Sequence, residues 1–169
     1  MGQLTALQCL SLKYYQGKDL APISKCTALR LLDLHGAQHV ASIQPLTSLI
    51  SLQHLNLSFC KGIADLSPLT VLNALRHLNL RYCNHEAVQF AMEMLPVSWP
   101  NLEMIGIDSG ILPGKSSSSI PGFCKKRIQM TDFRYCWYHD DTESSTMTGR
   151  CTSWKAKCDF FLARNRHGT

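Results

Sequence analysis

Leucine recurs through the first two-thirds of the chain in one short apolar and polar phrase: Leu7-Gln-Cys-Leu10-Ser-Leu12, Leu29-Arg-Leu-Leu32-Asp-Leu34, Leu52-Gln-His-Leu55-Asn-Leu57, Leu75-Arg-His-Leu78-Asn-Leu80 and the weaker Leu102-Glu-Met-Ile105-Gly-Ile107. The first leucines stand 22, 23, 23 and 27 residues apart. Within each phrase the last two apolar residues alternate with a polar one, which is the period of a strand. Between the phrases a second apolar run recurs, as Leu20-Ala-Pro22-Ile23, Ile43-Gln-Pro45-Leu46 and Leu66-Ser-Pro68-Leu69. Proline suits the start of a helical turn, where its missing N–H would have had no partner. Each copy therefore predicts a strand, a turn, and a proline-started helical or 3₁₀ return. Because no unit of some 23 residues buries its own leucines, the copies must stack into one continuous core.

The last copy is longer. Ala87, Val88, Ala91, Met92 and Leu95 fall at helical spacing, which predicts a helix capped by Asn84 and ending before Pro96. Beyond Gly110 the periodicity stops, and Pro113-Gly114-Lys115 with Ser116 to Ser119 reads as a linker. Three segments follow: a repeat array over 1–110, a linker over 111–123, and a cysteine-containing basic tail over 124–169. The leucine layer that begins at Leu4 and Leu7 carries no polar cap, so a preceding segment or a partner chain is expected to cover it.

The phrase resembles the signature of the leucine-rich-repeat family, L-x-x-L-x-L-x-x-N/C, over roughly residues 4 to 110. Ile63-Ala-Asp65-Leu66-Ser-Pro68-Leu69 is similar to the short repeats of phosphatase-1 regulatory subunits and bacterial internalins, whereas Cys60 and Cys83 at the Asn/Cys position are similar to the cysteine-type repeats of F-box proteins. The resemblance implies an α/β solenoid: a leucine-rich-repeat horseshoe segment with a short parallel sheet on its concave face, followed by an irregular tail. Tyr15, Ala37 and Gly110 occupy the Asn/Cys position in the other copies, so less regular turns are expected there.

If the leucines face the core, the residues between them face out, in columns about 4.8 Å per step. One column holds Ser11, Asp33, Asn56, Asn79 and Gly106; the next holds Cys9, Leu31, His54, His77 and Met104; beyond the strands come Lys13, His35, Ser58, Arg81 and Asp108, then Tyr14, Gly36, Phe59 and Tyr82. The resemblance implies that this face binds another protein, with the aromatic residues as anchors and Ser11, Lys13, Asp33, His35, His54, Asn56, His77, Asn79 and Arg81 as polar contacts. His54 and His77 read as a polar ladder rather than a zinc site, because no cysteine or carboxylate stands at ligand spacing. Cys60 and Cys83 read as buried small apolar thiols.

Charge divides the chain. Residues 1–114 carry seven Lys/Arg and seven Asp/Glu, while residues 115–169 carry ten and five. Basic groups such as Lys125-Lys126-Arg127 and Arg164-Asn-Arg166 leave nucleic-acid contact through the tail as an alternative. The tail spacing C-x11-C-x2-H-x11-C-x6-C over Cys124, Cys136, His139, Cys151 and Cys158 lacks the tight pair of a zinc knuckle. No catalytic motif is present, so no enzyme activity, cofactor or metal is expected. No apolar run is long enough to span a bilayer and no signal segment opens the chain, so an intracellular, cytoplasmic or nuclear address is expected. The expected partner is a protein, in a scaffold or regulatory role, rather than a membrane, a nucleic acid or a small-molecule substrate. A second alternative is the substrate-recognition part of an F-box-type ubiquitin ligase lacking its adaptor segment.

Overall fold

In a computed structural model the described residues are 4–107 and 129–131. The chain divides at Asp132 into two units, and all described residues lie in the first. Six three-residue strands form one parallel sheet in sequence order: β1 (Cys9–Ser11), β2 (Leu31–Asp33), β3 (His54–Asn56), β4 (His77–Asn79), β5 (Met104–Gly106) and β6 (Gln129–Thr131). The alignment of leucines in the sequence is the register of the sheet: Leu10, Leu32, Leu55, Leu78 and Ile105 are successive partners. One strand per repeat, always parallel, is the solenoid that the repeat phrase implies. Strand β6 lies beyond the boundary drawn at residue 110 and pairs in the same sense with β5.

Between strands the chain returns through 3₁₀ turns at Ala21–Lys25, Gln44–Ser48 and Ser67–Val71, each with proline in its first turn. Each turn closes on a backbone bond of the same kind, from Cys26, Leu49 and Leu72 to the carbonyls of Ile23, Leu46 and Leu69. Those three acceptor residues point inward and are buried. They meet the strand leucines Leu29, Leu32, Leu34, Leu52, Leu55, Leu57, Leu75, Leu78 and Leu80, which together form the spine of the core. Removing each such side chain from water is worth about 1.5–3 kcal/mol. At the β1 end Leu7, Leu10 and Leu12 are only partly buried, since among the described residues their layer has a neighbour on one side only.

The longer spacing before the last phrase is used by α1 (His85–Ser98). Going from 23 residues to 27 adds four, about one turn of α-helix, which converts the 3₁₀ return into a true helix. Asn84 caps it, its side chain accepting from the Glu86 amide at 2.8 Å. The small side chains of Ala87, Val88 and Ala91 face the core. The helix does not end before Pro96 as the sequence suggests but runs on to Ser98. A proline in the last turn forfeits a single amide donor, and the chain just beyond is held by buried Trp99, whose Nε1 donates to the Leu69 carbonyl at 2.8 Å. Among the described residues no helix is long and apolar enough to cross a membrane.

Leu55, at the centre of the sheet, has no exposed surface, and Ile50 is 66% exposed. Leu55→Ala is expected to cost about 2–5 kcal/mol by urea unfolding, and Ile50→Ala no more than about 0.5 kcal/mol.

Candidate functional site

The face of the sheet opposite the leucine spine carries the columns read from the sequence, in the expected register: Ser11, Asp33, Asn56 and Asn79 align across β1 to β4, and Leu31, His54 and His77 align across β2 to β4. Their exposure differs from expectation. Ser11 and Lys13 are exposed, but Asp33, Asn56 and Asn79 are 1–2% exposed, and His35, Ser58 and Arg81 are also buried.

The reason is hydrogen bonding at the strand ends. As the chain leaves each strand, alternate amides continue the ladder, Leu34 to the Asn56 carbonyl and Gly36 to the Ser58 carbonyl, while the amide between them has no strand partner. The short side chain two residues earlier folds back to accept it: Asp33 Oδ1 from the His35 amide at 3.0 Å, Asn56 Oδ1 from Ser58 at 3.0 Å, and Asn79 Oδ1 from Arg81 at 3.2 Å. The column also bonds along itself, with Asn56 Nδ2 donating to Asp33 Oδ1 at 2.9 Å. The Ser58 hydroxyl donates to Asn56 Oδ1 at 2.7 Å and faces His35 Nδ1 at 2.7 Å. With the serine proton committed to Asn56, neutral His35 holds its own proton on Nδ1. These groups therefore brace the strip, and a partner would meet what lies around them.

The next column is formed by the turns that follow. Each turn closes by an i to i+3 bond, from Tyr15 to Leu12, Ala37 to Leu34, Cys60 to Leu57 and Cys83 to Leu80, at 3.0–3.3 Å. The turns at Tyr15 and Ala37 thus close as regularly as those at Cys60 and Cys83. The third residue of every turn has positive φ: Tyr14 at 56°, Gly36 at 69°, Phe59 at 62° and Tyr82 at 57°. Turns of this kind favour glycine there, yet three of the four positions are aromatic. Gly36 is glycine for two reasons, since a Cβ would also approach the Tyr14 ring to 2.7 Å. The rings run along the rim: Tyr14 edge-on to His35 (centroids 5.1 Å), His35 edge-on to Phe59 (5.2 Å), and Phe59 tilted against Tyr82 (4.3 Å). Arg81 lies 5.2 Å above the Tyr82 ring. Tyr14 and Tyr82 remain 59% and 45% exposed.

His54 and His77 stand side by side, Nδ1 to Nδ1 at 3.0 Å with the rings nearly perpendicular. The other nitrogen of His77, Nε2, lies 3.6 Å from Glu103 Oε2, and Glu103 also accepts from Arg76 at 3.1 Å. Among the described residues no group of three or more His, Cys, Asp or Glu side chains is arranged to hold a metal ion.

Cys60 and Cys83 sit behind the turns, with Sγ donating to the carbonyls of Leu34 and Leu57 in the preceding repeat at 3.0 and 2.9 Å. Burial pushes the Cys60 thiol up to about 12, which closes it to thiolate chemistry near neutral pH. The tail cysteines, His139 and the basic groups from Lys125 onward lie outside the described residues.

Sequence reasoning gave the register of the columns but missed the burial of Asp33, His35, Asn56, Ser58, Asn79 and Arg81 and the positive-φ column. Gly36, aligned with Tyr14, Phe59 and Tyr82, was the signal that could have exposed it.

No family model matches the chain, and no curated protein matches it. Among solved structures it is similar to an internalin of Listeria monocytogenes known from a crystal structure, with a TM-score of 0.49 and 25% identity. The match covers 60% of this chain and 28% of the internalin chain, so the chain spans less than a third of that protein.

Burial, with a smaller push from the Lys13 ammonium, holds the His35 imidazole below its ordinary value of 6.5. The folded state therefore favours the neutral ring. The stability this contributes is fully present above 6.5 and is lost as pH falls from there through the lowered folded value. Urea midpoints should hold steady above that point and decline below it, and His35→Asn should flatten the decline relative to the parent chain.

Proposed function

We propose that this repeat array is a non-catalytic module that binds another protein on the concave strip, in a scaffold or regulatory role. The observation that carries the reading is the aromatic column at positive φ. A left-handed backbone costs a side-chain-bearing residue about 1–2 kcal/mol relative to glycine, and such strain collects where it serves a function. At Tyr14, Phe59 and Tyr82 part of that cost is offset by ring contacts along the column, but Tyr14 and Tyr82 leave about half their surface outside. Tyrosine is also, with tryptophan and arginine, a residue type enriched among the anchors of protein interfaces.

The braced column beneath supports the same reading. Asp33, Asn56, Asn79 and Ser58 fix the backbone that presents the rings, so a partner would meet a surface that needs little ordering. Ser11 and Lys13 stand exposed beside Tyr14, and His54 and His77 stand half-buried along the neighbouring column. His35 and Arg81 act through the rings they touch.

Glycine is the benign replacement at these positions, because it adopts positive φ without strain. The double variant Tyr14→Gly, Tyr82→Gly should keep the melting temperature of the parent within a few degrees. With the full chain as bait in cell lysate, it should lose a partner captured by the parent by about tenfold or more, as expected for anchors worth about 1.4 kcal/mol or more. Identical captured sets from the two folded baits, or no capture above a control chain by the parent, would remove the strip as the binding surface.

A further inference from the structure

We infer that His54 and His77 form a one-proton switch on the concave strip, sharing a single proton between facing Nδ1 atoms at neutral pH and separating when acid places a second between them. The two nitrogens are 3.0 Å apart, a hydrogen-bond distance that requires one donor and one acceptor. Glu103 assigns the roles. Its carboxylate lies 3.6 Å from His77 Nε2 and favours a proton there. Neutral His77 then offers the lone pair of Nδ1, and His54 donates its Nδ1–H. The polar groups follow in the order carboxylate, His77, His54, with a proton held between the two facing Nδ1 atoms.

Acid adds its first proton at His54 Nε2, which leaves the pair singly charged and keeps the Nδ1–H···Nδ1 bond; the next proton can then go only to His77 Nδ1, on the facing side. An N–H bond forms there, the His54 Nδ1–H···Nδ1 bond is broken, and two like-charged donors face each other at contact distance. Coulomb repulsion at that spacing, in a half-buried setting, is larger than in water. The rings must turn apart. They stand on adjacent strands locked in register, so the movement is confined to the side chains and the strip they line.

Among the described residues Glu103 lies 3.6 Å from His77 Nε2 and Arg76 is bonded to Glu103, while the other charged residues on the flanking strand ends are Arg30 just before β2, Asp33 at its end and Arg81 just after β4. Glu103 favours a cation on His77. Arg76, bonded to Glu103 at 3.1 Å, weakens that pull, and Arg81 is turned to the Tyr82 ring. Asp33 is committed to the Asn56 side chain and the His35 amide.

The switch stands on the geometry of the pair. Its consequence, that acid reshapes the strip and loosens a bound protein, rests on the reading of the strip as a binding surface.

The test uses the full chain labelled with ¹⁵N at histidine, followed by long-range ¹H–¹⁵N spectra from about pH 8 down to about pH 5, the range in which imidazoles change charge. At the upper end His77 should carry its proton on Nε2 and His54 on Nδ1. On acidification the two rings should titrate together in two separated steps, as coupled sites do. In His77→Asn, His54 should titrate in a single step, and in Glu103→Gln, an exposed substitution, His77 should lose its tautomer preference. Independent single-step titrations of the two rings in the parent chain, unchanged for His54 by His77→Asn, would overturn the switch. Survival of the switch alongside an unaltered captured set for the tyrosine-to-glycine variant would instead remove only the binding reading.

Discussion

A single repeat of this chain has an inner face of leucine and too few residues to close around it, so each layer is covered by the layer above and the layer below. Register between neighbouring strands is what makes that cover possible. Leu32, Leu55 and Leu78 meet because Leu31, His54 and His77 pair, one strand after another. The same dependence explains the gradient along the array, from partly buried Leu10 at β1 to fully buried Leu55 at β3. Stability in such a molecule is a sum over neighbours rather than a property of any one unit.

Strand stacking also dictates the chemistry of the opposite face. Strands of three residues end abruptly, and their terminal amides must find acceptors close by. Asp33, Asn56 and Asn79 supply those acceptors from within the strand, which draws their side chains out of solvent. The turns that follow must then swing the chain away sharply, with positive φ at the same place in each of the four described turns. The exposed aromatic rim is thus carried at positions that the backbone would rather give to glycine. Function, in the reading proposed above, is built on the residues for which the fold has the least structural use.

The fold was legible because leucine spacing and sheet register are the same information. Leu29, Leu52 and Leu75 announced the period, and Pro22, Pro45 and Pro68 announced the returns. Burial of Asp33, Asn56 and Asn79 was not legible, since alternation tells which face a side chain takes but not how its local hydrogen bonds draw it in. The end of α1 was misplaced at Pro96 because the chain beyond it is anchored through Trp99 to the Leu69 carbonyl, an acceptor thirty residues earlier in sequence. Strand β6 was hidden for a similar reason: Gln129–Thr131 has no leucine phrase and is recognised only by its pairing with β5. The linker over 111–123 and nearly all of the 124–169 tail lie outside the described residues.

Native-state hydrogen exchange at two amides tests the neighbour-limited account most directly. Leu12 and Leu57 both donate to the next strand, to the Asp33 carbonyl at 2.7 Å and the Asn79 carbonyl at 2.9 Å, so the bonds themselves favour Leu12 if anything. Layer cover differs, since Leu12 is partly buried and Leu57 has no exposed surface. Leu57 should exchange only through global unfolding, and Leu12 through a local opening of clearly lower free energy. Equal protection at the two amides would contradict the claim that each layer is held by the layers on either side of it.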